Sequence, residues 1–164
     1  MFYTRKATVN DVETIRQLAE QIWWPTYSPL LKKEQIIYML AEIYSEQKIT
    51  EQIEQGTQTY LLLIEDDQAV AFAAYSPREE NPDIYKLHKL YCLPATQGKG
   101  YGKILLKEVI ENVLAAGKHR LELNVQRHNN AKTFYEKMGF TIAYEEDIPF
   151  GPFLLTDYVM RKEL

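Results

Sequence analysis

One cysteine, Cys92, stands in a chain of 164 residues, so no disulfide can close within it. Histidine is nearly as scarce, with three scattered residues that supply no ligand set for structural zinc, and no metal is expected. Basic residues are not in excess: 19 Lys and Arg face 23 Asp and Glu, for a net charge of -4. Proteins that bind DNA or RNA show a clustered basic surplus, so nucleic acid is not an expected partner. No apolar run approaches the ~18 residues of a membrane span, and the opening MFYTRKATVN has no long apolar core of a signal peptide. The expectation is a cytoplasmic protein with no membrane partner. Glycine is also sparse, yet three of the seven, Gly98, Gly100 and Gly102, fall within five residues.

What is present suits one folded domain spanning 1–164, because 46% hydrophobic residues in a chain of this length bury a full core. FYTRKA reads as a strand. In VNDVETIRQLAEQIWW the apolar residues Val12, Ile15, Leu18, Ala19, Ile22 and Trp23 share one helical face, behind an Asn10 cap and ahead of a stop at Pro25. Helical spacing returns from Lys32 to Gln55, with a break near Ser45 and a stop at Gly56. QTYLLLIE and AVAFAAYS, joined by Asp66-Asp67, read as an antiparallel hairpin. IYKLHKLYCLP is a third long strand; the glycine cluster, the amphipathic helix YGKILLKEVIENVLAAG and the strand HRLELNV complete a β-α-β unit over Ile84 to Val125. NNAKTFYEKMG forms a short helix, and FTIAYEE and FLLTDYVMRK are the last strands, with EEDIPFGPF as the turn between them.

A helix that begins on glycines presents unpaired N–H groups to an anion, and glycine lets a phosphate approach closely. The P-loop pattern G-x-x-x-x-G-K-[ST] is absent, since Gly100 follows Lys99 and Ile104 follows Lys103. The dinucleotide pattern G-x-G-x-x-G fails as well, with Lys103 where its last glycine belongs. A glycine-capped helix without a ligand is the alternative to a phosphate site.

The run Gln97-Gly98-Lys99-Gly100-Tyr101-Gly102 fits the signature Q/R-x-x-G-x-G/A, and NNAKTFYEKMGF, from Asn129 to Phe140, fits a second signature. With these two motifs the chain resembles the GNAT superfamily of N-acetyltransferases that use acetyl-coenzyme A, possible neighbours being the bacterial polyamine acetyltransferases. The order of elements agrees over nearly the whole chain. One departure is that His128 stands seven residues before Tyr135, where such families often have Asn, and Asn129 stands six before it. The resemblance implies a mixed α/β fold: a mostly antiparallel central sheet, a splayed parallel pair at about 84–93 and 119–125, and helices on both faces.

The resemblance further implies that the pyrophosphate of acetyl-CoA sits on the N–H groups of Gly98, Lys99, Gly100, Tyr101 and Gly102, beside Gln97, with Lys99 and Lys103 adding positive charge. The pantetheine arm would pair with backbone at Tyr91 and Leu93, past Cys92, and the thioester carbonyl would meet a backbone N–H that stabilises the oxyanion. Asn124, Asn129, Phe134 and Lys137 complete the implied coenzyme contacts. Cys92 reads as a small packing residue, so transfer is expected to be direct, through a ternary complex.

An alkylamine with pKa near ~10.4 must lose a proton before it attacks. His88 falls close to a strand histidine that the arylalkylamine branch uses for this, and an ordinary half-buried histidine is the alternative. Tyr135 matches the family's general-acid tyrosine, with core packing beside Phe134 as the alternative. For the acceptor, Trp24 and Tyr27 offer ring faces to a cation, and Glu145 with Glu146 and Asp147 offers negative charge. A small polyamine-like or other primary amine is the implied acceptor. A protein N-terminus or lysine, and a sensor that binds acetyl-CoA without turnover, stay open. Edge strands of such a fold can also pair, so a homodimer stays open too.

Overall fold

The structure is a computed structural model that describes all 164 residues. The chain forms two compact units, one of residues 1–76 and 89–107, the other of residues 77–88 and 108–164. The strand β4 (Ile84–Cys92) and the helix α4 (Tyr101–Ala115) each contribute to both.

In the first unit β1 (Phe2–Lys6) pairs antiparallel with β2 (Thr59–Glu65), which pairs antiparallel with β3 (Gln68–Pro77). Asp66 and Asp67 turn this hairpin at φ of 49° and 67°, the left-handed pair that a tight two-residue connection needs. Three helices intervene: α1 (Val12–Tyr27), α2 (Lys33–Ile43) and α3 (Glu46–Gln55). The break expected near Ser45 is there, and the Ser45 hydroxyl caps α3 by accepting the Lys48 N–H at 3.1 Å. Two local expectations are corrected. Asn10 does not cap α1: its N-cap position is Asp11, and Thr8 and Asp11 form a reciprocal capping box around the 3₁₀ turn Val9–Asp11 that leads into the helix. Nor does Pro25 stop α1, which runs two residues further to Tyr27. So near the end of a helix Pro forfeits a single bond, and the Thr26 hydroxyl adds one to the Ile22 carbonyl at 2.7 Å. Ile15, Ala19, Ile36, Ile49, Leu62, Leu63 and Phe72 form the fully buried core of this unit.

In the second unit β4 pairs in parallel with β5 (Arg120–Gln126), in register from Ile84↔Arg120 to Leu87↔Leu123. β5 pairs antiparallel with β7 (Phe153–Glu163), and β7 with β6 (Thr141–Phe150). The strand order through the seven-stranded sheet is β1-β2-β3-β4-β5-β7-β6, with β4 and β5 as its parallel pair. The fold is thus the mixed, mostly antiparallel α/β arrangement the sequence implied. The expected turn EEDIPFGPF is corrected: Glu145, Glu146 and Asp147 lie within β6, and only Gly151 and Pro152 turn the chain. Polar residues on the solvated outer strand of a sheet look like loop in a sequence, which explains the miss.

Glu122 lies almost fully inside the second unit, its carboxylate held by Arg78 Nε at 2.8 Å and Arg161 Nε at 2.6 Å. Taking one partner from a buried ion pair typically costs ~3–5 kcal/mol, and Arg161 is open enough to regain water, so Glu122→Ala is expected to cost about 3 kcal/mol. A denaturant melt checks this, with a change under about 1 kcal/mol counting against the buried network as a stabilising element.

Candidate active site

The glycine cluster forms a cradle at the start of α4. Gly98 and Gly100 take φ of 90° and 78°, in the left-handed region that favours glycine, and a Cβ built on either meets nothing within 4 Å. The Ile104 N–H donates to the Gly100 carbonyl at 3.1 Å, so the N–H groups of Tyr101, Gly102 and Lys103 fall in the first turn, where a helix has no acceptors of its own. Open space, free donors and a helix N-terminus fit a pyrophosphate. Lys99 behaves otherwise than the motif suggested. Its N–H goes to the Thr96 carbonyl at 3.2 Å, and its ammonium pairs with Glu65 at 2.8 Å. The Tyr101 hydroxyl also donates to Glu65. These two donors hold the Glu65 carboxyl below its usual pKa, and the pairing raises that of Lys99. Gln97 and Lys103 are exposed.

Just ahead of the cradle, Leu93 has both backbone groups engaged: its N–H goes to the Val70 carbonyl at 2.9 Å, and its carbonyl accepts from the Thr96 N–H at 2.9 Å. The Leu93 N–H is thus not free to pair with a pantetheine arm. Burial pushes the Cys92 thiol up to about 11, which leaves it un-ionised near neutral pH and a poor nucleophile.

An aromatic cluster surrounds the side chain of Tyr91. Its hydroxyl lies 2.9 Å from that of Tyr27, and its ring lies 5.9 Å from Trp23 and 5.7 Å from Phe72. Trp23 packs on Tyr27 at 4.6 Å and donates its indole N–H to the Tyr44 hydroxyl at 3.2 Å. Trp24 is not in this group. It donates to Glu20 at 3.2 Å and lines a separate groove of about 350 Å³ with Glu13, Arg16, Ile37, Leu40 and Tyr44. The sequence reading also missed Lys89, which is 6% exposed and reaches the Tyr60 hydroxyl at 2.9 Å and Gln58 at 3.1 Å. The signal was there: in a strand Lys89 shares the face of the buried Leu87.

In the second unit His88 is half-buried on β4. Tyr135 is buried in α5 (Ala131–Lys137), its ring 5.2 Å from Phe134 and 5.7 Å from Phe140. Asn129 accepts the Ala131 N–H on its side-chain oxygen at 2.9 Å, an Asx turn that leads into α5, whose N-cap position is Asn130. Lys137 is exposed in the last turn of α5. Glu145 is exposed on β6, 3.9 Å from the Arg127 guanidinium. The Asn124 amide donates to Glu146 at 3.1 Å and to Asp157 at 3.2 Å. Burial raises the pKa of Asp157, against the lowering effect of that bond, and burial lowers that of Lys86.

The model of the acetyltransferase (GNAT) domain matches residues 28–162. The chain belongs to the GNAT acetyltransferase family. It is accordingly an N-acetyltransferase that uses acetyl-CoA, and the open cradle at Gly98 and Gly100 suits the pyrophosphate of that cosubstrate. Among relatives in the family, the spermidine N(1)-acetyltransferase of Thermoplasma acidophilum is 26% identical over 164 residues, covering 97% of this chain and 95% of that protein. An uncharacterized N-acetyltransferase of Mycobacterium tuberculosis is 27% identical over 157 residues, covering 95% and 99%. Among solved GNAT structures, that of the PaiA N-acetyltransferase from Thermoplasma acidophilum in complex with coenzyme A superposes with a TM-score of 0.86. Its identity is 27%, over 100% of this chain and 99% of that one. No helix of this chain is long and apolar enough to cross a membrane.

Proposed function

We propose that the whole chain, 1–164, works as one N-acetyltransferase domain and moves the acetyl group from acetyl-CoA directly to a primary amine of a small polyamine-like molecule. The observation that carries this reading is the likeness to the Thermoplasma spermidine N(1)-acetyltransferase, which extends over nearly the full length of both chains. The half-buried rings of Tyr27 and Tyr91, backed by the buried Trp23, support it, since aromatic faces attract ammonium groups. The N–H groups of Gly98, Gly100, Tyr101, Gly102 and Lys103 hold the pyrophosphate, and Lys103 adds charge.

Acetyl-CoA supplies an acetyl group activated as a thioester. His88 removes one proton from the acceptor ammonium, directly or through water, so that the nitrogen lone pair can attack the carbonyl carbon. The C–N bond forms, the C–S bond breaks, and Tyr135 gives its phenolic proton to the departing sulfur. The nitrogen sheds a second proton, which restores the phenol. The products are the N-acetylamine and free coenzyme A, with one proton released to solvent. Cys92, neutral and half-buried, carries no acyl group.

Release of free thiol from acetyl-CoA in the presence of spermidine, propylamine and a lysine-containing peptide tests the acceptor class. Turnover of spermidine well above the peptide is expected. Turnover of the peptide alone would overturn the small-amine reading, and thiol release independent of any amine would overturn amine acetylation. His88→Ala is expected to lower the rate about 10-fold at neutral pH and to recover as pH rises, because an amine already deprotonated needs no base. A pH–rate profile parallel to that of the wild type would remove His88 from the proton transfer.

A further inference from the structure

A buried polar atom without a partner in the second unit points beyond these roles. Asn124 lies one residue past Leu123, the last β5 residue in register with β4. Its side-chain amide nitrogen is spent on two carboxylates, Glu146 of β6 at 3.1 Å and Asp157 of β7 at 3.2 Å. Its side-chain oxygen is buried and accepts no hydrogen bond. Buried polar atoms in native proteins are nearly always paired, so this acceptor is available to a donor that the chain itself does not supply.

The two acids settle which way the amide faces. Turning it over would aim its oxygen at two carboxylate oxygens, three acceptors with no hydrogen among them. The pair therefore holds the Asn124 oxygen as a fixed acceptor on the far side of the group.

Charge narrows the class of donor. Neither Glu146 nor Asp157 belongs to an ion pair; Arg127 is bound to Asp147 at 2.7 Å and reaches Asp157 through its backbone carbonyl at 3.4 Å. Lys86 lies within electrostatic range of both acids, and Arg127 of Asp157. Two carboxylates without a contact cation, around an acceptor without a donor, suit a molecule that is at once cationic and rich in N–H. Of the two carboxylates, Glu146 is the more open to solvent.

We propose that Asn124, oriented by Glu146 and Asp157, is a specificity-determining residue for the acceptor: its side-chain oxygen takes an N–H of the incoming amine, and the two acids favour acceptors of higher positive charge. The assignment rests on the amine-acetylation reading above. It moves Asn124 from the coenzyme contacts that the family resemblance suggested to the acceptor side, and it makes Glu146 and Asp157 positioning residues.

Steady-state kinetics of Asn124→Ala with spermidine and with propylamine, beside calorimetric titration with acetyl-CoA, tests it. KM for spermidine should rise about 10-fold, with kcat changed less than about threefold and acetyl-CoA affinity within about twofold. Glu146→Gln, a milder change on an outer strand, should raise KM for spermidine about threefold or more and that for propylamine less, because the doubly or triply charged acceptor loses more from the missing carboxylate. Loss of acetyl-CoA affinity with KM for the amine unmoved returns Asn124 to the coenzyme and overturns the proposal. An unmoved KM in both variants overturns it too, as does a KM change equal for the two amines in Glu146→Gln. If Asn124→Ala does not fold, the Glu146→Gln comparison decides alone. A wild-type enzyme that acetylates none of the panel amines defeats the amine reading itself, an outcome distinct from normal wild-type turnover with insensitive variants.

Discussion

Replacing Gly100 by valine weakens acetyl-CoA binding at least ~100-fold, about 2.8 kcal/mol, while the protein stays folded. Two physical effects follow from the same substitution and have to be separated. The first is backbone strain. At φ of 78° a β-branched residue sits in the left-handed region, at a cost of roughly 1–2 kcal/mol. For a protein of this size each kcal/mol lowers Tm by roughly 2–4 °C, so the melting temperature should fall by several degrees and no more. The second effect is occupancy. Apart from the adjoining residues, nothing lies within 4 Å of a Cβ at Gly100, so the added side chain starts in the open space of the cradle. Gly117 provides the control. It has φ of 79°, equally open surroundings and a place just beyond the other end of α4, so Gly117→Val pays the same strain without touching the cradle. Calorimetric titration of both variants with acetyl-CoA tells the effects apart. Equal affinities for Gly100→Val and the wild type would remove the cradle from coenzyme binding; equal losses in the two variants would assign the defect to strain.

Much of this cradle was legible in the chain, because glycine clustering, helix periodicity and turn chemistry are local properties. The hairpin at Asp66-Asp67, the break at Ser45 and the β-α-β unit around the glycines are all set by residues close in sequence, and all are found where expected. What escaped notice depends on residues far apart. Glu65 lies 34 residues before Lys99, and no local pattern announces that it takes the ammonium expected to serve the phosphates. The Asn124, Glu146 and Asp157 group draws on three strands, and the reading of Glu145 to Asp147 as a turn hid the strand that carries one of them. Trp24, expected beside Tyr27 as a ring face for the acceptor, lines a groove with Ile37 and Leu40 of α2, while Trp23 is buried against Tyr27 and Tyr91.

Tyr135→Phe should lower kcat about 100-fold and leave acetyl-CoA affinity nearly intact, the low end of the ~10²–10⁴ typical of general acid catalysis. The ring is 8% exposed and packs against Phe134 and Phe140, contacts that phenylalanine reproduces, so the substitution removes a hydroxyl and little else. A residue present only to fill the core would leave turnover unchanged. The low end is expected for a chemical reason. A thiolate whose acid resembles cysteine, near ~8.5, is a fair leaving group unaided, and a phenol near ~10 gives up its proton uphill. The benefit would therefore lie in protonating the sulfur as the C–S bond lengthens, which stabilises the negative charge developing there and draws the tetrahedral intermediate toward products. Because that help is given at the sulfur and not in the grip on the coenzyme, kcat and kcat/KM should fall together while the coenzyme dissociation constant holds. Steady-state kinetics with an amine that the wild type acetylates, beside calorimetric titration with acetyl-CoA, measures both. Wild-type turnover in Tyr135→Phe would return the tyrosine to the core, and a large loss of coenzyme affinity would make it a binding residue instead.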